Sequence, residues 1–274
     1  NTGVDLDPTP NTITFDVTPV DDAPVLAVNA GLATFEGFTT TITAAMLQAT
    51  DVDTAAGDLV YTVTALPVNG QLELTTAPGV AITTFTQDDI DAGRLVYVHD
   101  SSETLTDAFT FDLEDATTNI GSATFNITIT PVNDAPAGTD ITLTTLEDTP
   151  YIFTAADFGF SDLNDTPSNI LQSVVITTLP GAGTLTLNGV AVTAGQEISE
   201  ADITGGLLRF NPALNDNGNA YAAFTFQVRD DGGIANTGVD LDPTPNTITF
   251  DVTSVNDAPV GTDTTVTTLE DTPY

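Results

Sequence analysis

Cysteine and lysine are both missing from the 274 residues. No disulfide can therefore brace the chain, and no lysine–asparagine isopeptide bond can either. Tryptophan is missing as well, histidine occurs once, at His99, and three cations (Arg94, Arg209, Arg229) stand against 39 Asp and Glu. The net charge of −36 excludes nucleic acid as a partner, because phosphate needs cations to displace its counterions. An anionic membrane surface is excluded for the same reason. No apolar run approaches the ~20 residues that span a bilayer, so no membrane insertion is expected. A secretion signal is absent or lies outside this stretch. One histidine, expected at a solvated strand end or turn, gives no Ser-His-Asp set, and no phosphate-binding glycine loop occurs. A glycosidase needs two carboxyls facing across a cleft, usually with aromatics to stack the sugar. Five tyrosines without tryptophan, and acidic residues recurring once per repeat, do not suit that chemistry. The chain is read as not an enzyme.

What is present is repetition, which decides the fold before anything else. NTGVDLDPTPNTITFDVT stands at 1–18 and again at 236–253, an offset of 235. V-[DN]-D-A-P stands at 20–24, 132–136 and 255–259, and GTD-x-T-x-TTLEDTPY at 138–151 and 261–274. The unit is thus a pair of unlike modules. Residues 25–136 form module A and 137–259 module B, while 1–24 repeat the last strand and linker of B and 260–274 repeat its first strand. The chain reads as a window on a longer polymer.

Apolar residues alternate with threonine and aspartate at a period of two, the mark of half-buried strands. Ile13, Phe15 and Val17 do so, as do Phe109, Phe111 and Leu113, Phe125, Ile127 and Ile129, and Phe224, Phe226 and Val228. Threonine suits the solvated face. Asn188-Gly189 between two apolar runs predicts a type I′ hairpin. Gln87–Gly93 and Ser199–Gly205 each predict a single helical turn, and nothing else reads as helix. About seven short strands in 110–120 residues fit an all-β, two-sheet Greek-key sandwich.

At ATDVDTAAGDLVYTVTALPVNGQLEL (49–74), FTQDDIDAGRLVYVHDSSETLTDAFTFDLEDA (85–116) and the closing VNDAP, module A resembles the chondroitin-sulfate-proteoglycan type of repeat in the cadherin-like superfamily, in its bacterial form. Module B shares the ground plan through LEDTPY (146–151), FSDLNDT (160–166), VRDDGG (228–233) and VNDAP. The resemblance implies tandem cadherin-like, Ig-like sandwiches arranged end to end. It implies an extracellular or cell-surface location, in large adhesins, biofilm proteins or fibres, and calcium at the joints.

The residues make their own case for calcium, which takes six to eight oxygen ligands. Asp51 and Asp53 sit two apart in a loop, and Asp162 and Asn164 repeat the arrangement. The linkers supply Asp21-Asp22, Asn133-Asp134 and Asn256-Asp257, Glu36 and Glu147 lie near first strands, and Asp115 and Asp230-Asp231 end strands. Carried over from the family pattern, the joint between A and B would use Glu36, Asn133, Asp134, Asp162, Asn164 and Asp230, with Asp107 nearby. The joint before A would use Asp21, Asp22, Asp51, Asp53 and Asp115, and the joint after B Glu147, Asp216, Asn256 and Asp257. The linker carries one acidic–amide pair where the family has two, which leaves the number of ions per joint open. The alternative reading is that these Asp and Asn cap turns on their own backbone. Neither an EF-hand nor a glycine-rich calcium nonapeptide is present. The function expected is a structural extender stiffened by calcium, with neighbouring modules of the same chain as partners. Self-assembling sheath material with identical chains packed laterally, or a glycan- or partner-binding module, are the alternatives. A saline habitat would also suit so acidic a chain.

Overall fold

A computed structural model describes residues 2–3, 5, 7, 9–18 and 20–273. The chain forms two compact units, residues 1–131 and 132–274. The second unit begins five residues before the module boundary placed at 136/137, because the linker residues bond to it. Asn133 accepts from the Val239 N–H at 2.8 Å, and Ala137 exchanges two backbone bonds with Ser161.

Unit 1 contains strands Val25–Asn29 (β1), Leu32–Phe35 (β2), Thr39–Thr41 (β3), Leu47–Thr50 (β4), Val60–Ala65 (β5), Gly70–Leu74 (β6), Thr84–Thr86 (β7), Leu95–His99 (β8), Thr106–Glu114 (β9) and Asn119–Thr130 (β10). A five-stranded sheet β2-β10-β9-β5-β7 and a three-stranded sheet β3-β8-β6 enclose the core, with β1 pairing β4. Unit 2 contains Ile141–Leu146 (β11), Tyr151–Ile152 (β12), Leu171–Ile176 (β13), Thr184–Leu187 (β14), Val190–Ala191 (β15), Gln196–Ser199 (β16), Leu208–Asn211 (β17), Gly218–Asp230 (β18) and Asn246–Thr253 (β19). Its sheets run β11-β19-β18-β13-β16 and β12-β17-β14-β15. Each unit is an all-β sandwich, with more strands among the described residues than the seven or so expected.

The alternation does the work assigned to it. Phe109, Phe111 and Leu113 in unit 1, and Phe224, Phe226 and Val228 in unit 2, are buried, and their threonine and aspartate neighbours are not. Asn188 and Gly189 both take positive φ, 49° and 78°, as a type I′ turn demands. The two expected helical turns are Gln87–Asp91 (α1), with a capping box between Thr86 and Asp89, and Glu200–Thr204 (α2), capped by Ser199. Two 3-10 turns, Ala155–Phe158 and Ala235–Thr237, are additional. The first seats Phe158 in the core, so an apolar residue at a tertiary position overrides a sequence without helical period. His99 is buried rather than solvated, because its ring folds back on its own turn. Its Nδ1 accepts from the Gly37 and Ser101 N–H groups at 3.1 and 3.2 Å.

The segment read as the last strand of a preceding module has no such module among the described residues to pair with. Asn11–Thr18 forms no strand, and Ile13, Phe15 and Val17 are 78, 83 and 82% exposed. The same eight letters form β19 at 246–253, where Ile248, Phe250 and Val252 are buried. There the strand lies between β11, in parallel register, and β18, antiparallel. An alternating segment is a strand only where neighbours complete its hydrogen bonds and cover its apolar face.

Candidate metal centres

Strand ends set the acidic residues of unit 1 in two groups. At one end, the loop after β4 and the turn between β9 and β10 lie together with the segment leading into β1. Asp51 Oδ1 accepts from the Asp53 and Thr54 N–H groups at 2.9 and 2.8 Å. Asp115 Oδ1 accepts from those of Thr117 and Thr118 at 2.7 and 2.6 Å. Each carboxylate thus locks its turn with one oxygen. The other oxygen of each, Asp51 Oδ2 and Asp115 Oδ2, is buried without a hydrogen-bond partner, and Asp115 as a residue is only 8% exposed. The Thr117 hydroxyl donates to Asp21, and the Asp22 N–H reaches Asp53. The backbone N–H groups hold the Asp51 and Asp115 carboxyls below the usual range, the charge of Asp51 opposing this at Asp115. Asp53 is pushed up by its side-chain bond to Asp51, by burial and by the charges of Asp51 and Asp21. Four carboxylates on three segments therefore converge, two presenting a bare inner oxygen.

The opposite end of unit 1 carries Glu36, buried just after β2, and Glu103, which the sequence reading did not single out. One carboxylate oxygen of each lies within 4.8 Å of the other's. Asp107 is not a free ligand. Its Oδ1 accepts from the Val68 and Ala108 N–H groups, and its Oδ2 from the Asn69 N–H and the Tyr97 hydroxyl, at 2.8–3.0 Å. It clamps the loop between β5 and β6.

Unit 2 builds a denser group where its linker meets the end of β18. The Asn133 amide donates to both oxygens of Asp230 at 3.2 and 3.3 Å and to the Val239 carbonyl at 2.7 Å. Its Oδ1 accepts from the Asn169 amide. Asp162 Oδ2 accepts from the Asn169 N–H at 2.6 Å, while Asp162 Oδ1 is buried without a partner. The Asp134 N–H donates to Asp165 Oδ2 at 3.0 Å, and Asp231 Oδ1 accepts from the Ile170 N–H at 2.9 Å. Asp230 is fully buried, which raises its pKa, and the charges of Asp162 and Asp240 add to the rise. A Cβ on Gly232 would lie 1.6 Å from Asn133 Oδ1, so glycine is what lets the chain close over this amide. Asn164, expected here, is exposed instead. Asp165, one residue on, turns inward in its place, and Asn169 is a second residue the sequence reading missed.

At the other end of unit 2, Glu147 is buried with both oxygens engaged, Oε1 by the Val255 N–H and Oε2 by the Asn217 amide. Asn215 joins Asp148 to Asp257: its N–H donates to Asp148 Oδ1, and its amide reaches Asp148 Oδ2 at 3.1 Å and Asp257 Oδ2 at 3.2 Å. Asp216 and Asn256 are exposed.

Residues 24–129 match the family model for cadherin-like domains. The first unit carries a cadherin-like repeat. Human extracellular matrix organizing protein FRAS1 is 40% identical over 110 residues, which is 40% of this chain and 3% of that protein. Human chondroitin sulfate proteoglycan 4 is 41% identical over 107 residues, 39% of this chain and 4% of that protein. Extracellular matrix protein 3 of Lytechinus variegatus is 31% identical over 219 residues, reaching 77% of this chain and 7% of that protein. The chain thus spans only a few per cent of these relatives. They are animal proteins, and the bacterial setting rests on the sequence resemblance alone. Among solved structures, human mucin-like protocadherin EC1-2 aligns with 85% of this chain and 98% of its own, at 16% identity and a TM-score of 0.40. No helix among the described residues is long and apolar enough to cross a membrane.

Proposed function

We propose that this chain is a stretch of structural repeats from a large extracellular adhesin or surface fibre, and that calcium held at the ends of its units stiffens it. The observation that carries the cation is the set of bare, buried carboxylate oxygens on Asp51, Asp115 and Asp162. A buried acceptor without a donor is costly, and an anionic one especially so. A hard divalent cation satisfies it with the oxygen chemistry these loops offer. Asp21, Asp51, Asp53 and Asp115 would hold such an ion on unit 1. Asp162, Asp165, Asp230 and Asn133 would hold one on unit 2 once the Asn133 amide turns its oxygen inward. The relatives are extracellular matrix proteins, which suits a cation filled at roughly 0.1–1 mM and scarce inside cells. The near-identical repetition favours a structural role, since a ligand-binding face would be expected to diversify.

Calorimetric titration of the full chain with calcium tests the sites, and small-angle scattering with and without chelator tests the stiffening. The expected result is saturable binding in that range and a maximum dimension that falls on chelation. Absence of binding would return these aspartates to the role of turn caps. Binding without a change of dimension would leave the sites in place and remove the mechanical reading.

A further inference from the structure

Three asparagines in this chain stand directly before a glycine, Asn69, Asn188 and Asn217. That dipeptide carries its own chemistry, because a glycine nitrogen, with no side chain beside it, can attack the preceding side-chain amide. The sequence ranks the three alike, and the structure separates them. Asn69 is tied through backbone and side chain. Its N–H donates to Asp107 Oδ2 at 3.0 Å and its amide to the Thr106 carbonyl at 3.3 Å. Its carbonyl accepts from the Asp100 N–H and the Tyr97 hydroxyl, both at 3.1 Å. The Asn217 amide donates to Glu147 Oε2 at 2.7 Å, on a carboxylate that is itself buried. Asn188 differs from both. It and Gly189 are exposed at the tip of the β14–β15 hairpin, and its amide makes no hydrogen bond among the described residues. A Cβ on Gly189 would meet nothing within 4 Å, so the space around the attacking nitrogen is open.

We propose that Asn188-Gly189 is a site of spontaneous self-modification, at which the folded chain deamidates ahead of its two other Asn-Gly pairs. The Gly189 nitrogen gives its proton to solvent base and bonds to Asn188 Cγ. The Cγ–Nδ2 bond breaks, and ammonia leaves with a proton from water, closing a five-membered succinimide. Water then opens the ring at either of its carbonyls, giving aspartate or isoaspartate, with no oxidant or reductant involved. Ring closure requires Asn188 to turn about its Cα–C bond, out of the left-handed conformation it holds at φ 49°. Its N–H bond to the Leu207 carbonyl, at 2.9 Å, lies on the side of the residue that this rotation leaves in place. Little packing opposes the opening, because β15 has two exposed residues and pairs with β14 alone. At Asn69 the same rotation breaks the bonds from Asp100 and Tyr97, and at Asn217 the amide must first leave a buried anion. The new carboxylate arises in the cleft that also holds Arg209, the one arginine not paired with a carboxylate. Isoaspartate adds a methylene to the main chain of a tight hairpin loop, so β15 loses its register. The proposal is independent of the cation reading.

The full chain, aged in mildly alkaline buffer made with heavy-oxygen water, tests this by peptide mapping in a mass spectrometer. Each site that deamidates takes up one labelled oxygen, and isoaspartate is told from aspartate by its fragmentation. The rate at each site is divided by its rate in denaturant, which removes the effect of neighbouring sequence. On that scale Asn188 should run ahead of Asn69 and Asn217 by about tenfold or more, since only local fraying is needed to free it. Equal protection at the three sites, or a faster reaction at Asn69 or Asn217, overturns the proposal. Asn188→Gly supplies an independent measurement, because glycine suits the positive φ of the turn and carries no amide. Ammonia released by the folded protein should fall several-fold in N188G. Release unchanged from the parent overturns the assignment to this hairpin.

Discussion

Whether an aspartate can serve as a turn cap, a cation ligand or both is decided oxygen by oxygen, and Asp115 has one oxygen for each role. Its Oδ1 fixes the turn between β9 and β10 and its Oδ2 is bare. Asp115→Asn keeps a carbonyl oxygen for the Thr117 and Thr118 N–H groups but removes the charge and replaces the bare oxygen with a donor. Without calcium the variant should melt slightly below the parent temperature, since the bonds from the Thr117 and Thr118 N–H groups to the charged carboxylate outweigh the repulsion from Asp51. With calcium at tenfold its dissociation constant the parent should gain about 5 °C and the variant nearly nothing. Parallel melts in chelator and in calcium check this, and equal gains would remove Asp115 from the site. Much of this site is legible in sequence, because Asp51, Asp53 and Asp115 stand where strand alternation stops. Asp165, Asn169 and Glu103 are not legible. Their roles depend on which way a loop turns, and the Asp162-x-Asn164 spacing points to a residue that faces solvent.

Elements obey the same division between local and non-local information. The hairpin at Asn188-Gly189 and the turn α1 are written locally, in positive-φ residues and a capping box, and both appear where expected. Asp89 sits at the third position of α1. Burial would raise its pKa, but bonds from the Thr86 N–H and hydroxyl and from Arg94 outweigh this and hold it below 3.8. A carboxyl with a depressed folded pKa stabilises above its unfolded value, and that contribution is lost as pH falls through the folded one. Asp89→Asn should cost about 1 kcal/mol at pH 7 and converge with the parent in acid as the pH falls through the lowered folded pKa, as denaturant midpoints across that range would show. A constant gap at all pH values would mean that packing, not charge, is lost. Strand identity at 11–18 and 246–253 is the opposite case, since identical letters give β19 in one place and no strand in the other. Pairing and burial come from β11 and β18, not from the segment. In dilute protein, Phe250→Ala should therefore destabilise unit 2 by about 3–5 kcal/mol, while Phe15→Ala should change stability by less than about 0.5 kcal/mol. Comparable losses at both positions would show that the first copy is also housed.

At the scale of the whole molecule the governing quantity is a charge of −36 carried with three arginines. Two of those are already committed, Arg94 to Asp88 and Asp89, and Arg229 to Glu197 and Asp240. Self-repulsion on this scale weakens the folded state, and no internal supply of cations can offset it. Monovalent salt relieves it only by screening, over about 10 Å at 0.1 M, and acts on every exposed carboxylate alike. Calcium should act differently, because the bare oxygens of Asp51, Asp115 and Asp162 are buried where screening is weak and direct ligation is strong. Melting temperature should therefore rise more in millimolar calcium than in sodium chloride of equal ionic strength. The excess should vanish when Asp51, Asp115 and Asp162 are replaced together by Asn, while the sodium chloride response remains. Magnesium should substitute poorly, because its short, rigid octahedron suits loops already fixed by backbone bonds less well than calcium's larger and more flexible shell. Identical curves in the two salts would assign the acidity to general screening, as in a protein suited to a saline medium, and would leave the bare oxygens without a cation to explain them.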